Sequence, residues 1–446
     1  MKDKKAVCLF SSAGIGELGI KNNNIDIILS NELLEDRHKL HEINYPNCHH
    51  VLGDIWVKKD DVITKSKELL QGEELFLLYA TPPCQGMSST GAGKLLSEIK
   101  KGKRKKLDER NRLIIPTLDI IIELKPKWII FENVENMKNT IIQDENNNFV
   151  NILDYIKNRL GNEYIGSMEV VNCADYAIPQ SRKRLITIFT RDEFGKEYFR
   201  NQELFFLESE KITPKNPITL KEAIGHLPPI HAKEGENARL DIDCNYMVPV
   251  MSAERYSWVL NAKEGDSAFN NQCINPTCRY VGNKKHGSNT EDGVHSSNKD
   301  TPLYCEKCGS LLPRPSVIDK KTGERRIIRG YDTTYARMEW NKPSVTLTQN
   351  FQYDSSGRHY HPEQNRILSI YEGLILQTIT EYDYSFNIDS KIVSRNRIAE
   401  VIGESVPPKL IDFICKKILQ LSDKGIEEYK KNYSNSKYTQ LELFEI

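Results

Sequence analysis

The chain has no excess of either charge: 62 Lys and Arg stand against 62 Asp and Glu in 446 residues. Binding driven by global electrostatics is thereby excluded, and any surface for nucleic acid must come from local clustering. No apolar run approaches the roughly 20 residues of a membrane span. No secretory pattern opens the chain, since Met1-Lys2-Asp3-Lys4-Lys5 leads directly into a short strand-like run. These absences predict a soluble, intracellular protein with no membrane partner. There is no internal repeat, so no repeat architecture is expected. Ten cysteines are present, and in a reducing compartment they predict metal binding or catalysis rather than disulfides.

What is present reads as alternating strands and helices. Strands are expected over Ala6–Phe10, Ile25–Ser30, a third ending at Gly53-Asp54-Ile55, Leu75–Ala80, Trp128–Phe131, Tyr164–Val171 and Leu185–Phe189. Helices are expected over Leu33–Ile43, Leu113–Leu124, Ile152–Leu160, Ile367–Gln377 and Pro408–Leu421. The fold class is therefore α/β, a doubly wound and mainly parallel sheet. After Arg191 the periodicity breaks, and Pro, Gly, Asn and charge take over to about Tyr335. Four parts follow: a sheet domain over 1–191, an inserted domain over 192–336, a return segment over 337–421, and a charged tail over 422–446.

The apolar run Leu75-Phe76-Leu77-Leu78-Tyr79-Ala80 delivers Thr81-Pro82-Pro83-Cys84-Gln85-Gly86 to a strand's C-terminal end. Ligands of open α/β sheets bind along that edge. A second strand, from Trp128, runs into Glu132-Asn133-Val134. A cysteine and a glutamate at neighbouring strand ends suit covalent catalysis with acid assistance. Phe10 to Gly19 is a glycine-rich strand-to-helix turn, which lets a ligand approach the backbone. Glu32 at the second strand's end can accept two ribose hydroxyls, and Asp54 at the third's end can accept an adenine amine. Glycine turn, Glu32 and Asp54 together fit a nucleoside without requiring a pyrophosphate, a description that S-adenosylmethionine meets.

The order of these pieces resembles the cytosine-C5 DNA methyltransferases, from about Val7 to Phe413. The resemblance is carried by Phe10-Ser11-Ser12-Ala13-Gly14, Gly53-Asp54-Ile55, Pro83-Cys84-Gln85, Asp108-Glu109-Arg110 with Leu113, and Glu132-Asn133-Val134. It continues through Gln180-Ser181-Arg182-Lys183-Arg184, Arg366 to Glu372 and Gln377, and Gly403-Glu404-Ser405-Val406. It makes S-adenosylmethionine the expected cofactor. It implies contacts at Phe10, Leu33, Ile55, Pro83, Leu113 and Ser405, with Gly14 and Glu404 beside them. Three residues depart from the family's pattern: Ser12 for a glycine, Cys8 for an aspartate and Glu404 for an asparagine.

The resemblance also implies a mechanism. Cys84 adds to C6 of a cytosine, while Glu132 holds N3 and N4 with a shared proton, its pKa raised by burial. Arg182 and Arg184, two apart beside a strand, can face the same side. One would polarise O2 and the other hold the loop or a phosphate, with Arg184 the choice for the base. A base inside a duplex cannot present both faces, so it must be flipped out. The basic run Lys100-Lys101-Gly102-Lys103-Arg104-Lys105-Lys106 falls in the segment that the family closes over the base. It reads as phosphate-binding, against the alternatives of a solvated loop or a nuclear localisation signal.

Within the insert, Cys273-x4-Cys278 and Cys305-x2-Cys308 form two paired-cysteine knuckles, the second followed by Gly309. Four thiolates make a closed, structural zinc site over about 273–308, with no open position for catalysis. His286 and His295 lie between the pairs as substitute ligands. The resemblance makes the insert a target-recognition domain. Arg279, Lys284, Lys285, Arg314, Arg325, Arg326 and Arg329 are its candidates for groove or phosphate contact. The reading is a sequence-specific methyltransferase acting on double-stranded DNA, in the prokaryotic cytoplasm and with the nucleoid. A separate restriction endonuclease is the expected counterpart. The alternatives are a tRNA cytosine-C5 methyltransferase and a catalytically silent DNA-binding adaptor on the same fold.

Overall fold

A computed structural model describes residues 4–83, 108–286, 288–291, 294–297, 301–328, 333–388 and 391–435. Seven strands form the principal sheet: β1 (Lys4–Leu9), β2 (Ile25–Glu32), β3 (His49–Leu52), β4 (Leu77–Ala80), β5 (Trp128–Asn133), β6 (Ile165–Asn172) and β7 (Lys183–Thr190). Their order is β3-β2-β1-β4-β5-β7-β6. The first five run parallel, and β7 runs antiparallel to both β5 and β6. The expected doubly wound sheet is thus observed.

The strands are apolar on both faces because helices cover both. Alternate residues divide cleanly, as the two-residue period requires. Ala6, Cys8, Leu77, Tyr79, Trp128 and Ile130 join one core with Leu410, Ile411, Ile414 and Ile418 of the last helix, Pro408–Asn435. Val7, Leu9, Leu78, Ala80, Ile129 and Phe131 join the other, with Val62, Ile121 and Ile156 from three helices. These are Ile55–Leu70, Ile114–Leu124 and Ile152–Leu160. The last helix continues through the charged residues past Leu421. Among the described residues, no helix is long and apolar enough to cross a membrane.

The sheet domain does not stop at Arg191. Tyr198, Phe199, Phe205 and Phe206 pack into the first core. Beyond them Glu210 forms an ion pair at 2.6 Å with Lys417 of the last helix, both side chains almost wholly buried. The sequence hides this continuation because the four aromatics sit among charged residues. The insert has its own core of Ile230, Tyr246, Val248, Trp258, Phe269 and Tyr335, which Tyr360 and Ile367 complete. The return segment rejoins the sheet domain through Ser344–Val345, parallel to Gln180–Ser181. Arg366, fully buried, pairs with Glu372 at 2.7 Å. Glu372 also closes a capping box with Ser369 at the start of the helix Ile370–Leu376.

Candidate active site

Strand β1 pairs with β2 on one side and β4 on the other, so successive connections diverge from it. In such sheets the crevice lies outside the carboxyl ends of the strands at that point. There the structure has a cavity of about 630 Å³, within the range of cofactor sites. Its described walls come from four separated stretches: the ends of β1 to β4 with the residues that follow them, the turn carrying Arg110 and Leu113, the facing ends of β5 and β7, and the return segment. Phe10, Glu32, Leu33, Asp54, Ile55, Pro83, Leu113, Glu404 and Ser405 all line it, as do Glu132 and Arg184.

At one end stand Glu132 and Arg184. Antiparallel pairing sets the beginning of β7 against the end of β5, with Leu185 opposite Asn133 and Ile186 opposite Glu132. Arg184 therefore reaches the carboxylate, Nε to Oε1, at 2.8 Å. Burial pushes the Glu132 carboxyl above its ordinary value, and the Arg184 and Arg182 guanidinium groups oppose the shift. Such an environment suits a carboxyl that holds or shares a proton. Asn133, the amide next to it, donates to the Pro82 carbonyl at 2.8 Å. Thr81 Oγ1 donates to the Phe10 carbonyl at 2.9 Å. These two bonds fasten the Pro82-Pro83 approach to the turn. Cys84 itself, and the basic run from Lys100 to Lys106, lie outside the described residues.

At the other end the glycine turn folds back on Glu32. The Ser12 amide donates to Glu32 Oε2 at 2.8 Å and the Leu34 amide to Oε1 at 2.9 Å. Asp54 caps the helix Ile55–Leu70 by accepting from the Trp56 amide at 3.0 Å, and it lines the cavity as well. Ser12 has φ +47°, a left-handed conformation that costs a serine about 1–3 kcal/mol. Its hydroxyl donates to Glu404 Oε1 at 2.5 Å. Two departures from the family's pattern thus contact each other. Burial raises the Glu404 carboxyl, while Arg37, Ser12 and Gln349 act to lower it. Arg37, which sequence reasoning missed, lies 2.9 Å from Glu404 Oε2 through Nη2. Gln349 Nε2 donates to the same oxygen at 2.8 Å.

Several expectations need correction. Arg182 and Arg184 do not face the same side, because Arg184 reaches Glu132 while Arg182 turns to the return segment. The Arg182 guanidinium is fully buried and donates to the Leu347 and Gly403 carbonyls at 2.9 Å each. It is absent from the cavity wall and clamps the return segment to the sheet. Gly14 does not line the cavity either. With φ +77°, it leaves room for the Tyr45 ring, 2.5 Å from where a Cβ would stand. Cys8 is buried in the core under the last helix. Burial raises its thiol well above the ordinary value, so it is an inert neutral group away from the cavity.

In the insert, the four cysteines converge, with all sulfurs within 4.8 Å of one another. Cys273 and Cys308 Sγ are 3.6 Å apart, and Cys278 and Cys305 are 3.9 Å apart. A tetrahedral Zn–S site with bonds of about 2.3 Å has sulfur edges of about 3.8 Å, so this donor set fits zinc. Gly309, at φ +72°, makes the second knuckle's turn. His286 is no substitute ligand: it stacks on Phe269 at 4.4 Å between centroids, and its Nδ1 meets Thr301 Oγ1 at 2.7 Å. The His295 side chain and Arg329 lie outside the described residues. Arg314 is not a groove residue. It is fully buried and donates to the carbonyls of Asn271, Lys284 and Pro302. Arg279, Lys284, Lys285 and Arg326 are exposed and Arg325 is half-buried, with Arg326 paired to Asp319 at 3.0 Å.

Comparison with known proteins accounts for this arrangement. The family model of the C-5 cytosine-specific DNA methylases matches residues 5–420. The chain belongs to that family. A Type II methyltransferase, M1.HgaI of Avibacterium volantium, is 28% identical over 94% of this chain and 98% of its own length. Another, M1.HphI of Haemophilus parahaemolyticus, is 24% identical over 93% of this chain and 86% of its own. A crystal structure described as a DNA modification methyltransferase from an E. coli prophage superimposes with a TM-score of 0.55 at 17% identity. It covers 94% of this chain and 100% of that one, a likeness of fold. The protein is a DNA methyltransferase of the S-adenosylmethionine-dependent type. The cavity fits that cofactor, because Glu32 and Asp54 supply acceptors for a nucleoside at one end while Glu132 and Arg184 wait at the other.

Proposed function

We propose that this DNA methyltransferase acts at cytosine C5 of a specific duplex sequence, by covalent addition of Cys84 to C6 of a flipped base. The observation that carries the reading is the buried Glu132–Arg184 pair at 2.8 Å, in a cavity that Pro83 also lines. Cytosine C5 is a poor nucleophile. Attack of the Cys84 thiolate on C6 moves the ring's electron pair to C5. Glu132 shares its proton with N3 and accepts from N4 as that density develops, which its raised pKa permits. Arg184 holds O2 and balances the charge. S-adenosylmethionine, when bound, supplies an electrophilic methyl group to C5. A base then removes the C5 proton, and Cys84 leaves as thiolate.

Structural zinc on Cys273, Cys278, Cys305 and Cys308 would shape the recognition domain, far in sequence from the chemistry. Arg279, Lys284, Lys285, Arg325 and Arg326 remain its candidates for DNA contact. The Type II relatives support a role in protecting bacterial DNA beside a separate endonuclease.

Radiolabelled methyl transfer to duplex DNA and to tRNA, with methylation mapping of DNA from expressing cells, tests the substrate. Transfer to tRNA alone would overturn the reading. Wild-type protein should trap a covalent adduct on 5-fluorocytosine duplexes, because fluorine blocks the last proton loss, and Cys84→Ser should not. A Cys84→Ser protein with near-normal turnover would exclude the covalent route, and a wild type that binds DNA without transferring methyl groups would point to the silent adaptor.

A further inference from the structure

We propose that the Arg37–Glu404 ion pair is the receptor for the zwitterionic amino-acid tail of the cofactor. The inference rests on the S-adenosylmethionine reading given above and adds the residues that hold its charged end. Among the described residues, the cavity wall is short of cations. Glu17, Glu32, Asp54, Glu132 and Glu404 line it against Arg37, Arg110 and Arg184. A ligand carboxylate would be repelled over most of this surface. Arg184 is committed to Glu132 at 2.8 Å. Arg110 is held by Asp108, with donor distances of 2.9 and 2.6 Å.

Arg37 differs. Its Nη2 lies 2.9 Å from Glu404 Oε2, yet its buried Nε has no hydrogen-bond partner among the described residues. A buried guanidinium N–H without an acceptor is costly, and a ligand carboxylate is the acceptor that would relieve it. Glu404 is fixed by three groups, namely the Ser12 hydroxyl, the Gln349 amide and Arg37. A carboxylate offers about four lone-pair sites, so one remains for an ammonium. A fixed cation beside a fixed anion is complementary to an α-carboxylate beside an α-ammonium. The same wall continues to Glu32 through the Ser12 amide at 2.8 Å, which joins the amino-acid end to the nucleoside end. Ser12 and Glu404 are therefore a matched pair: the hydroxyl that replaces a glycine hydrogen orients the carboxylate that replaces an amide.

Calorimetric titration of the full chain with two thioethers tests this. S-adenosylhomocysteine carries the tail, and 5′-methylthioadenosine lacks it. Arg37→Gln should weaken S-adenosylhomocysteine by about 10-fold or more, the loss of one charged hydrogen-bonding partner. It should leave 5′-methylthioadenosine within about twofold, which also reports an intact fold. Decarboxylated S-adenosylhomocysteine, an amine without the carboxylate, should be insensitive to Arg37→Gln and sensitive to Glu404→Gln. Parallel weakening of both thioethers, or unchanged S-adenosylhomocysteine affinity, would overturn the proposal. Wild-type protein that binds neither would overturn the cofactor reading itself, and this one with it.

Discussion

Arg182→Met separates a positioning role from a catalytic one. In the wild type, the guanidinium is the buried donor to two carbonyls, Leu347 and Gly403, at 2.9 Å each. Both residues line the cavity, and Gly403 presses so closely on the Thr348–Gln349 peptide that a Cβ there would lie 2.2 Å from it. Methionine fills much of the space and donates to nothing. Each carbonyl left unsatisfied costs about 1–3 kcal/mol, so the variant should lose about 2–6 kcal/mol of stability. Urea unfolding monitored by fluorescence measures the loss. Cofactor affinity should fall with it, because Ser405 and Glu404 follow Gly403 directly. Arg184→Met should do the reverse, slowing methyl transfer with a smaller effect on stability. If Arg182→Met unfolds like the wild type, binds S-adenosylhomocysteine normally and still fails to transfer methyl groups, Arg182 touches the base and the clamp account is wrong.

Glu132→Gln should slow single-turnover methyl transfer by about 10²-fold or more, the scale of general acid catalysis, and an unchanged rate would make Glu132 structural. Cys305→Ser with Cys308→Ser should release one zinc per chain and abolish sequence-specific DNA binding while S-adenosylhomocysteine still binds; elemental analysis that finds no zinc in chelator-free wild type would defeat the metal assignment. Acid should destabilise the junction of insert and return segment. Burial depresses His359 to about 4 and His361 to about 3, against about 6.5 unfolded. Because the unfolded chain binds more protons between those values, stability is present above pH 6.5 and falls as pH drops towards 4, by about 2 kcal/mol per histidine from pH 7 to pH 5. His361→Gln should flatten the urea-midpoint profile over that window, and a profile identical to wild type would contradict the burial argument.

Most of the sheet was legible because its strands are buried on both faces and read as short continuous apolar runs. The bounds of Ile152–Leu160 are as expected, and β5 runs two residues further than Phe131. The cavity residues were legible where they stand at strand ends, since chain order alone puts Glu32, Asp54 and Glu132 on one edge. Three things were not legible. The spacing of Arg182 and Arg184 suggested a shared face, but Arg182 precedes β7 and points at the return segment, a contact between residues 165 and 221 positions apart. The aromatics from Tyr198 to Phe206 look like insert because their partners lie on a helix more than 200 residues later. Nothing in the local sequence singles Arg37 out on its charged helix, and only its approach to Glu404 gives it a place.

The same long separations show how the cavity is assembled around an insert that takes no part in its described wall. Every described residue of the cavity wall comes from the sheet domain or from the return segment between Thr346 and Val406. The insert's own core and its four cysteines contribute nothing to that wall. What joins the parts is a small set of buried polar contacts. Arg182 grips the Leu347 and Gly403 carbonyls, Gln180 Nε2 donates to Gln377 Oε1 at 2.8 Å, and Gln377 in turn donates to Ser405. Arg366 and Glu372 fix the helix that carries Gln377. Such groups are expensive to bury alone and hold geometry once satisfied. The motif residues between Gln180 and Ser405 that touch no ligand are accounted for in this way: they return the chain, after any insert, to within reach of the cofactor.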